Sequence, residues 1–470
     1  MTEEIYDLLV IGAGPGGYVA AIRAAQLGFN VAVVEQRETL GGVCLNEGCI
    51  PSKALLESSE RFEQACHGLS EHGVEVDTPR LDLSRMMQRK QGIIDKLTGG
   101  IAGLFKKNGI SHFQGSGQLQ APDGATQRVE VTQTAGKLEL QANNVLLATG
   151  SRAAELPHIP FDGETIFSAR EALSLPEVPK HLLVVGGGVI GLEMGSVWRR
   201  LGAEVTVVEM LPQILPQTDK QMAQLLQRIL KKKGIEILLE TRIDTVDKTA
   251  EGLLATVTGK KGEKQITCDR ILVATGRRAI TDKLGLENVG LQANQSGQLD
   301  VDENYRTGAT GIYAIGDLID GPMLAHKASD EGVVFAERLA GQKSRVDYEA
   351  IPAVTYTAPE VASVGRSEDG LNRDGIPFQA GKFYFAASGR ALCHGESEGF
   401  IKVLAAPETG RILGVHIIGP HASELIAEAT TVLSFGGSIH DLAVTCHAHP
   451  TLAESLKEAA LAVSKEAIHA

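Results

Sequence analysis

An α/β fold, built twice and followed by a smaller α+β region, is what this sequence predicts. Three observations predict it. Two segments repeat one strand, glycine-loop, helix, strand pattern; two further apolar strands each end in a small residue and a glycine; and from residue 351 onward short strands alternate with helices. A chain of 470 residues is also long for one hydrophobic core, so several domains are expected.

The first copy runs from an apolar strand over 7–11 into Gly12-Ala13-Gly14-Pro15-Gly16-Gly17, a helix reaching Leu27-Gly28, and a second strand ending at Glu35. Next comes Gly41-Gly42-Val43-Cys44-Leu45-Asn46-Glu47-Gly48-Cys49-Ile50-Pro51-Ser52-Lys53, which places two of the chain's six cysteines five positions apart. In a regular helix they would lie roughly 7.5 Å apart along the axis. A disulfide tolerates a Cα separation of only about 6.8 Å. Bridging them therefore requires a distortion, which Gly48 and Pro51 permit. A strained, accessible bridge is easily reduced and reformed, and no further metal ligands stand nearby, so the segment reads as a redox pair.

The second copy runs from a strand over 182–185 into Gly186-Gly187-Gly188-Val189-Ile190-Gly191, a helix reaching Leu201-Gly202, and a strand ending at Glu209. Each acid stands at the same distance from the first glycine of its loop, 35 from 12 and 209 from 186. A βαβ dinucleotide unit needs this spacing. The glycines allow a tight turn and close approach to a pyrophosphate, the helix N-terminus faces the phosphates, and the acid takes ribose hydroxyls. One glycine motif is a weak signal, but two with strand, helix and distal acid predict two dinucleotide sites. Met210-Leu211-Pro212-Gln213-Ile214 offers no arginine for a 2′-phosphate, which points to NAD rather than NADP.

The strands over 145–150 and 271–276, ending in Ala148-Thr149-Gly150 and Ala274-Thr275-Gly276, suit places where the chain leaves a dinucleotide domain. A strand over 311–315 runs into Gly316-Asp317, an acid placed to bond a ribityl chain or to cap a helix. Domains are expected at 1–150 and 151–280, with 281–350 returning to the first. The α+β region at 351–470 has strands over 353–365 and 410–419, a helix over 423–435 and a last helix over 451–467. Within it His449 is followed by Pro450 and, five positions on, by Glu454, as a base with an acid to orient it. Cys446, His447 and His449 lack a further metal ligand, and Cys66, Cys268 and Cys393 read as ordinary thiols.

A net charge of −13 argues against nucleic acid or an anionic membrane as the main partner. Met1-Thr2-Glu3-Glu4-Ile5 has no basic stretch before an apolar one, so no secretory signal is expected. The longest apolar run, 182–198, is interrupted by glycines and Glu193 and is not expected to span a membrane. Sparse cysteine predicts a reducing, cytoplasmic setting.

With two nucleotide motifs bracketing a dithiol, the chain resembles the pyridine nucleotide–disulfide oxidoreductases along its whole length. Its Gly-Gly-Val-Cys-Leu-Asn-Glu-Gly-Cys-Ile-Pro-Ser-Lys-Ala-Leu-Leu segment is most similar to the members that oxidise dihydrolipoamide, and His449-Pro450-Thr451-Leu452-Ala453-Glu454 is similar to their base motif. The resemblance implies FAD on Gly12, Gly14, Gly17 and Glu35. Lys53 would lie near the flavin, paired with Glu193, and Gly117, Thr149, Gly150, Ser151, Asp317 and Ala325 would line the rest. It implies NAD on Gly186, Gly188, Ile190, Gly191, Glu193 and Glu209, with Ile243 against the adenine and Gly276 near the nicotinamide half.

By the same resemblance Cys49 would touch the flavin and Cys44 would exchange with substrate. A homodimer is implied, in which His449 and Glu454 complete the other subunit's site, with a cis peptide before Pro450. The substrate would be dihydrolipoamide on the lipoyl-bearing subunit of a 2-oxo acid dehydrogenase complex or on a glycine-cleavage carrier. Mercuric reductases want an additional cysteine pair, which Lys465-Glu466-Ala467-Ile468-His469-Ala470 does not supply; glutathione reductases want a basic NADP pocket; soluble transhydrogenases lack the full cysteine pair. A purely structural subunit is the competing reading from another class, and it predicts no turnover. His326 and Lys327 lie close to the implied flavin contacts without an assigned role.

Overall fold

A computed structural model describes residues 5–250 and 252–469. The chain divides into two compact units. The first takes the chain up to Ala54, then Ser84–Ala154 and Gly276–Val346; the second takes Leu55–Leu83, Glu155–Thr275 and the chain from Asp347. The crossings thus fall at Ala154/Glu155 and Thr275/Gly276 rather than at 150/151 and 280/281. Residues 55–83 also leave the first unit, because one continuous helix starting at Cys49 carries the chain out of it.

In the first unit β1 (Ile5–Ile11), β2 (Val31–Glu35) and β3 (Ser111–Gln114) run parallel, with Leu8 opposite Val31 and Ala32 opposite Ser111. Strand β1 also pairs in parallel with the end of β6 (Gly136–Leu147). The first half of β6 continues antiparallel through β5 (Thr126–Gln133) to β4 (Ser116–Asp123). Strands β1 and β2 are apolar and almost wholly buried, as parallel strands covered on both faces must be. Helix α1 (Pro15–Gln26) follows the first glycine loop, α2 (Gly42–Glu47) and α3 (Cys49–Glu63) carry the cysteines, and α4 (Leu83–Lys107) leads into β3.

Strand β7 (Ser151–Ala153) pairs antiparallel with β16 (Arg277–Ala279), and β17 (Ile312–Ala314) pairs in parallel with the end of β6. Helix α8 (Ala325–Leu339) lies so close to α1 that a methyl at Gly332 would come within 2.6 Å of the Gly16 carbonyl.

The second unit opens with β8 (Ile166–Phe167) and the short α5 (Ala169–Ala172), which has a capping box between Ser168 and Glu171. Strands β9 (His181–Val185), β10 (Glu204–Val208), β11 (Ile235–Leu238) and β15 (Arg270–Val273) join β8 in a parallel sheet ordered β11-β10-β9-β15-β8. Helices α6 (Val189–Arg200) and α7 (Lys220–Lys232) connect its strands. An antiparallel ribbon of β12 (Arg242–Thr249), β13 (Gly252–Gly259) and β14 (Gly262–Cys268) interrupts it.

The α+β region has an antiparallel sheet of β18 (Ala353–Thr355), β19 (Glu360–Gly365), β22 (Ile412–Gly419), β21 (Phe400–Ala405) and β20 (Gln379–Tyr384). Its helices are α9 (Glu368–Arg373), α10 (Gly389–His394), α11 (Ala422–Ser434), α12 (Ile439–Val444) and α13 (Glu454–Val463). The single strand expected over 353–365 is two, β18 and β19, folded back on each other. Pro359, in a cis bond with Ala358, has no N–H for a ladder and falls in the turn between them. The last helix is shorter than 451–467. It starts at Glu454, whose carboxylate accepts from Thr451 N–H at 2.8 Å and so holds the preceding residues as a turn.

Candidate active site

The two glycine loops have the same geometry. Gly12 and Gly186 have φ of +101° and +111°, and a methyl on either would lie 2.5 Å from a carbonyl, of Ala148 in one unit and Ala274 in the other. A methyl at Gly17 would lie 1.9 Å from the Gly12 carbonyl, and one at Gly191 2.1 Å from the Gly186 carbonyl, so helix and strand approach as closely as backbone allows. Each acid is already tied to its own loop. Glu35 accepts from Ala13 N–H at 2.8 Å and Arg37 N–H at 3.0 Å. Glu209 accepts from Gly187 N–H at 2.7 Å and Leu211 N–H at 2.8 Å. On the side where a methyl at Gly188, Gly150 or Gly276 would point, no atom beyond the adjoining residues comes within 4 Å among the described residues, which leaves room for a ligand against the backbone. These residues fit two dinucleotides.

The dithiol segment is seated on the first loop. Gly41 N–H donates to the Ala13 carbonyl at 2.8 Å, and a methyl on Gly42 would come within 2.6 Å of Gly14 Cα. Gly48, with φ −137° and ψ −115°, breaks the segment into α2 and α3. That break is the distortion the cysteine spacing requires, and it turns the two thiols toward each other. The hydrogen bond between them, then burial and the charge Cys49 would carry, push the Cys44 thiol far above its usual range; the Cys49 N–H and Lys53 pull the other way. As the first residue of a 15-residue helix, Cys49 stands at the positive end of the helix dipole.

Around the first loop the remaining expected residues are distributed as follows. Thr149 Cα lies 3.0 Å from where a methyl on Gly12 would sit, and Thr149 Oγ1 donates to the Ile280 carbonyl at 2.7 Å. A methyl on Gly117, in β4, would touch the Ile11 and Val34 side chains. Ser151 Oγ donates to the Asp317 carboxylate, and Arg277 donates to Ser151 Oγ and to the Ser151 carbonyl, both at 2.7 Å. Asp317 sits inside a 3₁₀ turn, Gly316–Leu318, rather than capping a helix, and Ala325 opens α8.

In the second unit Gly188 and Ile190 stand at the start of α6. Glu193, one turn further, is buried and accepts from Tyr356 N–H at 2.9 Å. Ile243 is buried in the core with Val208 and Leu253, and its carbonyl is 3.2 Å from His158 Nε2.

His449 Nδ1 donates to Glu454 Oε1 at 2.9 Å, and its side chain is 81% exposed. The His449–Pro450 peptide is cis. Burial acts to raise the Glu454 carboxyl, but the Thr451 N–H and His449 outweigh it and hold it below its usual range. The neighbouring His447 instead pairs with Glu428 at 2.8 Å. Cys268 is buried, and burial lifts its thiol to about 12; Cys393 and Cys446 are exposed.

Sequence reasoning missed two charged groups. Arg37, two residues past Glu35, pairs with Glu47 between the cysteines. Lys402, in the buried β21, contacts the Asp219 carboxylate at the start of α7 and reaches Glu368 at 2.8 Å, with buried His416 beside them. A lysine in an otherwise apolar strand was the only signal for the second.

Two family descriptions match the chain: "Pyridine nucleotide-disulphide oxidoreductase" over residues 6–332 and the dimerisation domain of the same family over 351–460. The chain is 48% identical over 471 residues to a dihydrolipoamide dehydrogenase of Chaetomium thermophilum, covering all of this chain and 93% of that one. It is 47% identical to a dihydrolipoyl dehydrogenase of Cupriavidus necator, covering 99% of each. Among solved structures, LpdA from Mycobacterium tuberculosis superposes with a TM-score of 0.90 at 30% identity, covering 96% of this chain and 98% of that one.

Proposed function

This chain belongs to the pyridine nucleotide–disulphide oxidoreductase family, and we propose on that premise that it oxidises dihydrolipoamide to lipoamide with NAD⁺ as final acceptor. The observation that carries the reading is the seating of two facing thiols on the first nucleotide loop through Gly41 and Ala13. FAD held on Gly12, Gly14, Gly17 and Glu35 supplies the two-electron acceptor between the thiols and NAD⁺.

The protein's own side chains do the rest. His449 takes a proton from one thiol of dihydrolipoamide. Glu454 keeps Nδ1 protonated, so that Nε2 is the accepting atom, and it stabilises the imidazolium. The substrate thiolate attacks Cys44 of the Cys44–Cys49 disulfide; the Sγ–Sγ bond breaks and Cys49 leaves as a thiolate, which the helix N-terminus favours. The second substrate thiol then displaces Cys44, closing the lipoamide disulfide and leaving Cys44 protonated. Burial and Cys49 both favour that protonation state of Cys44. Lys53, four residues along α3, favours negative charge at the pair.

The second glycine loop, with Gly186, Gly188, Ile190, Gly191 and Glu209, holds NAD. Glu193, Ile243 and Gly276 stand around it in the same reading. Gly117, Thr149, Gly150, Ser151, Asp317 and Ala325 do so around FAD. We assign a homodimer formed through residues 351–470, in which the exposed His449 serves the other subunit. The substrate arrives on the lipoyl-bearing subunit of a 2-oxo acid dehydrogenase complex or on a glycine-cleavage carrier. The cytoplasm, where thiols stay reduced, is the compartment assigned. Among the described residues no helix is long and apolar enough to cross a membrane. Anaerobic titration with dihydrolipoamide, then NAD⁺, tests the reading: flavin bleaching followed by NADH formation is expected, and a flavin that dihydrolipoamide leaves oxidised overturns it.

A further inference from the structure

Both backbone polar atoms of Gly316, the residue before Asp317, are held by a single buried ion pair. Glu331 Oε2 accepts from Gly316 N–H at 2.7 Å, and Lys327 Nζ donates to the Gly316 carbonyl at 3.0 Å. The same ammonium donates to the Asp320 carbonyl at 3.2 Å and lies 3.1 Å from Glu331 Oε1; neither side chain has any exposure. Three protons of the lysine thus meet three acceptors.

A buried ion pair is seldom the most stable filling for a helix face, since apolar residues of similar volume often do as well or better. This pair instead supplies hydrogen bonds to irregular backbone that water does not reach. Gly316 has φ +71° and begins a 3₁₀ turn; its carbonyl accepts a long bond from Ile319 N–H at 3.3 Å within that turn, whereas its N–H turns to the Glu331 carboxylate. The turn presents Asp317. The Asp317 carboxylate also accepts from the buried Ser151, which Arg277 holds in place. The aspartate is therefore fixed from the strand side by Ser151 and Arg277, and from the helix side by Lys327 and Glu331.

We propose that Lys327 and Glu331 are positioning residues for the flavin's ribityl chain, acting through the Gly316 backbone to set the direction of the Asp317 carboxylate. The proposal rests on the reading of Asp317 as an FAD contact and adds the residues that aim it. The pair itself touches no flavin.

The test is a double-mutant cycle on FAD affinity, measured by flavin fluorescence during reconstitution of the apoprotein, with far-UV circular dichroism to confirm that each apoprotein is folded. Asp317→Asn is expected to weaken FAD roughly tenfold, as loss of a charge-assisted hydrogen bond does. Lys327→Met in the wild-type background is expected to weaken FAD by a similar factor, and in the Asp317→Asn background by less than about twofold. NADH affinity at the second loop stays unchanged in both. If Lys327→Met does not fold, Glu331→Gln carries the same cycle, because its amide oxygen still accepts from Gly316 N–H while the ion pair is lost. An equal loss in both backgrounds overturns the proposal, since the pair then acts through general stability. An Asp317→Asn variant that binds FAD as tightly as the wild type overturns the Asp317 reading and the proposal with it.

Discussion

Arg37 closes a two-pronged ion pair on Glu47, with Nη1 2.7 Å from Oε1 and Nη2 2.9 Å from Oε2. Arg37 stands two residues beyond Glu35, the acid proposed to take ribose hydroxyls, and Glu47 stands between Cys44 and Cys49 in the sequence. The pair thus ties the end of β2 to the helix that carries Cys44. It also neutralises a carboxylate that would otherwise oppose thiolate formation a turn away.

Breaking this pair from either side is expected to have opposite effects. Arg37→Met leaves the Glu47 charge uncompensated and should slow alkylation of the reduced pair roughly threefold at neutral pH. Glu47→Gln should leave the rate unchanged or raise it, and the double variant should return near the wild type. Rates measured with iodoacetamide check this; equal slowing by both single variants would show that the pair acts by geometry alone.

Cys44→Ser removes the sulfur proposed to exchange with substrate but none of the glycine-loop contacts. Turnover of dihydrolipoamide is expected to vanish while the purified protein keeps its yellow colour and one FAD per chain. Full residual turnover would contradict the role given to Cys44.

His449→Gln is expected to lower kcat by roughly 10²–10⁴, the usual worth of a positioned base. Glu454→Gln should cost less, because the amide oxygen still accepts from Nδ1–H while the imidazolium loses its anionic partner. Glu454 itself is held below its ordinary value of 4.5, so it stays ionised across the neutral range. A loss on Glu454→Gln as large as that on His449→Gln would refute the subordinate, orienting role given to the acid.

The buried group around Lys402 is expected to govern stability. Lys402→Met leaves the Asp219 carboxylate buried without its ammonium, at a cost of about 3–5 kcal/mol. Trp198, the one tryptophan, is fully buried in the same unit and reports its unfolding by fluorescence. Burial holds His416 below its usual range, its Nε2 lying 3.0 Å from the Arg366 carbonyl. Asp219 is also held low: burial opposes this, but His416 and Lys402 outweigh it. A group depressed in the folded state stabilises above its unfolded value and loses that contribution as the pH falls. Stability should therefore drop as acidification passes 6.5, where an unfolded histidine titrates, and again below 3.8. His416→Asn should flatten the first drop; an unchanged slope in urea midpoints between about pH 7 and pH 5 would contradict it.

The two glycine loops, their distal acids and the cysteine segment were legible in the sequence because each is local. The strand, turn and acid lie within one short stretch, and glycine spacing reports backbone approach directly. His449 and Glu454 were legible for the same reason. The ends of β18 and β19 were not, because the apolar pattern of 353–365 continues through a turn that Pro359 alone betrays. The start of the last helix was hidden by alanine and leucine, which cannot show that Glu454 caps the preceding turn. The role of Lys327 and the importance of Glu331 and Lys402 escaped because they bond backbone atoms or distant residues, and Arg37 escaped because its partner Glu47 lies in the next element.

The hydrogen bonds that Glu209 accepts from Gly187 and Leu211 have a consequence for altering the coenzyme. A redesign toward NADP would replace this acid with a cation or a small residue to admit a phosphate. That replacement would also strip two backbone donors of their acceptor in a loop whose shape the glycines alone do not hold. A successful switch of preference thus needs a new acceptor for Gly187 N–H as well as a new charge. Single substitutions at position 209 should yield a poor NAD enzyme before they yield an NADP one.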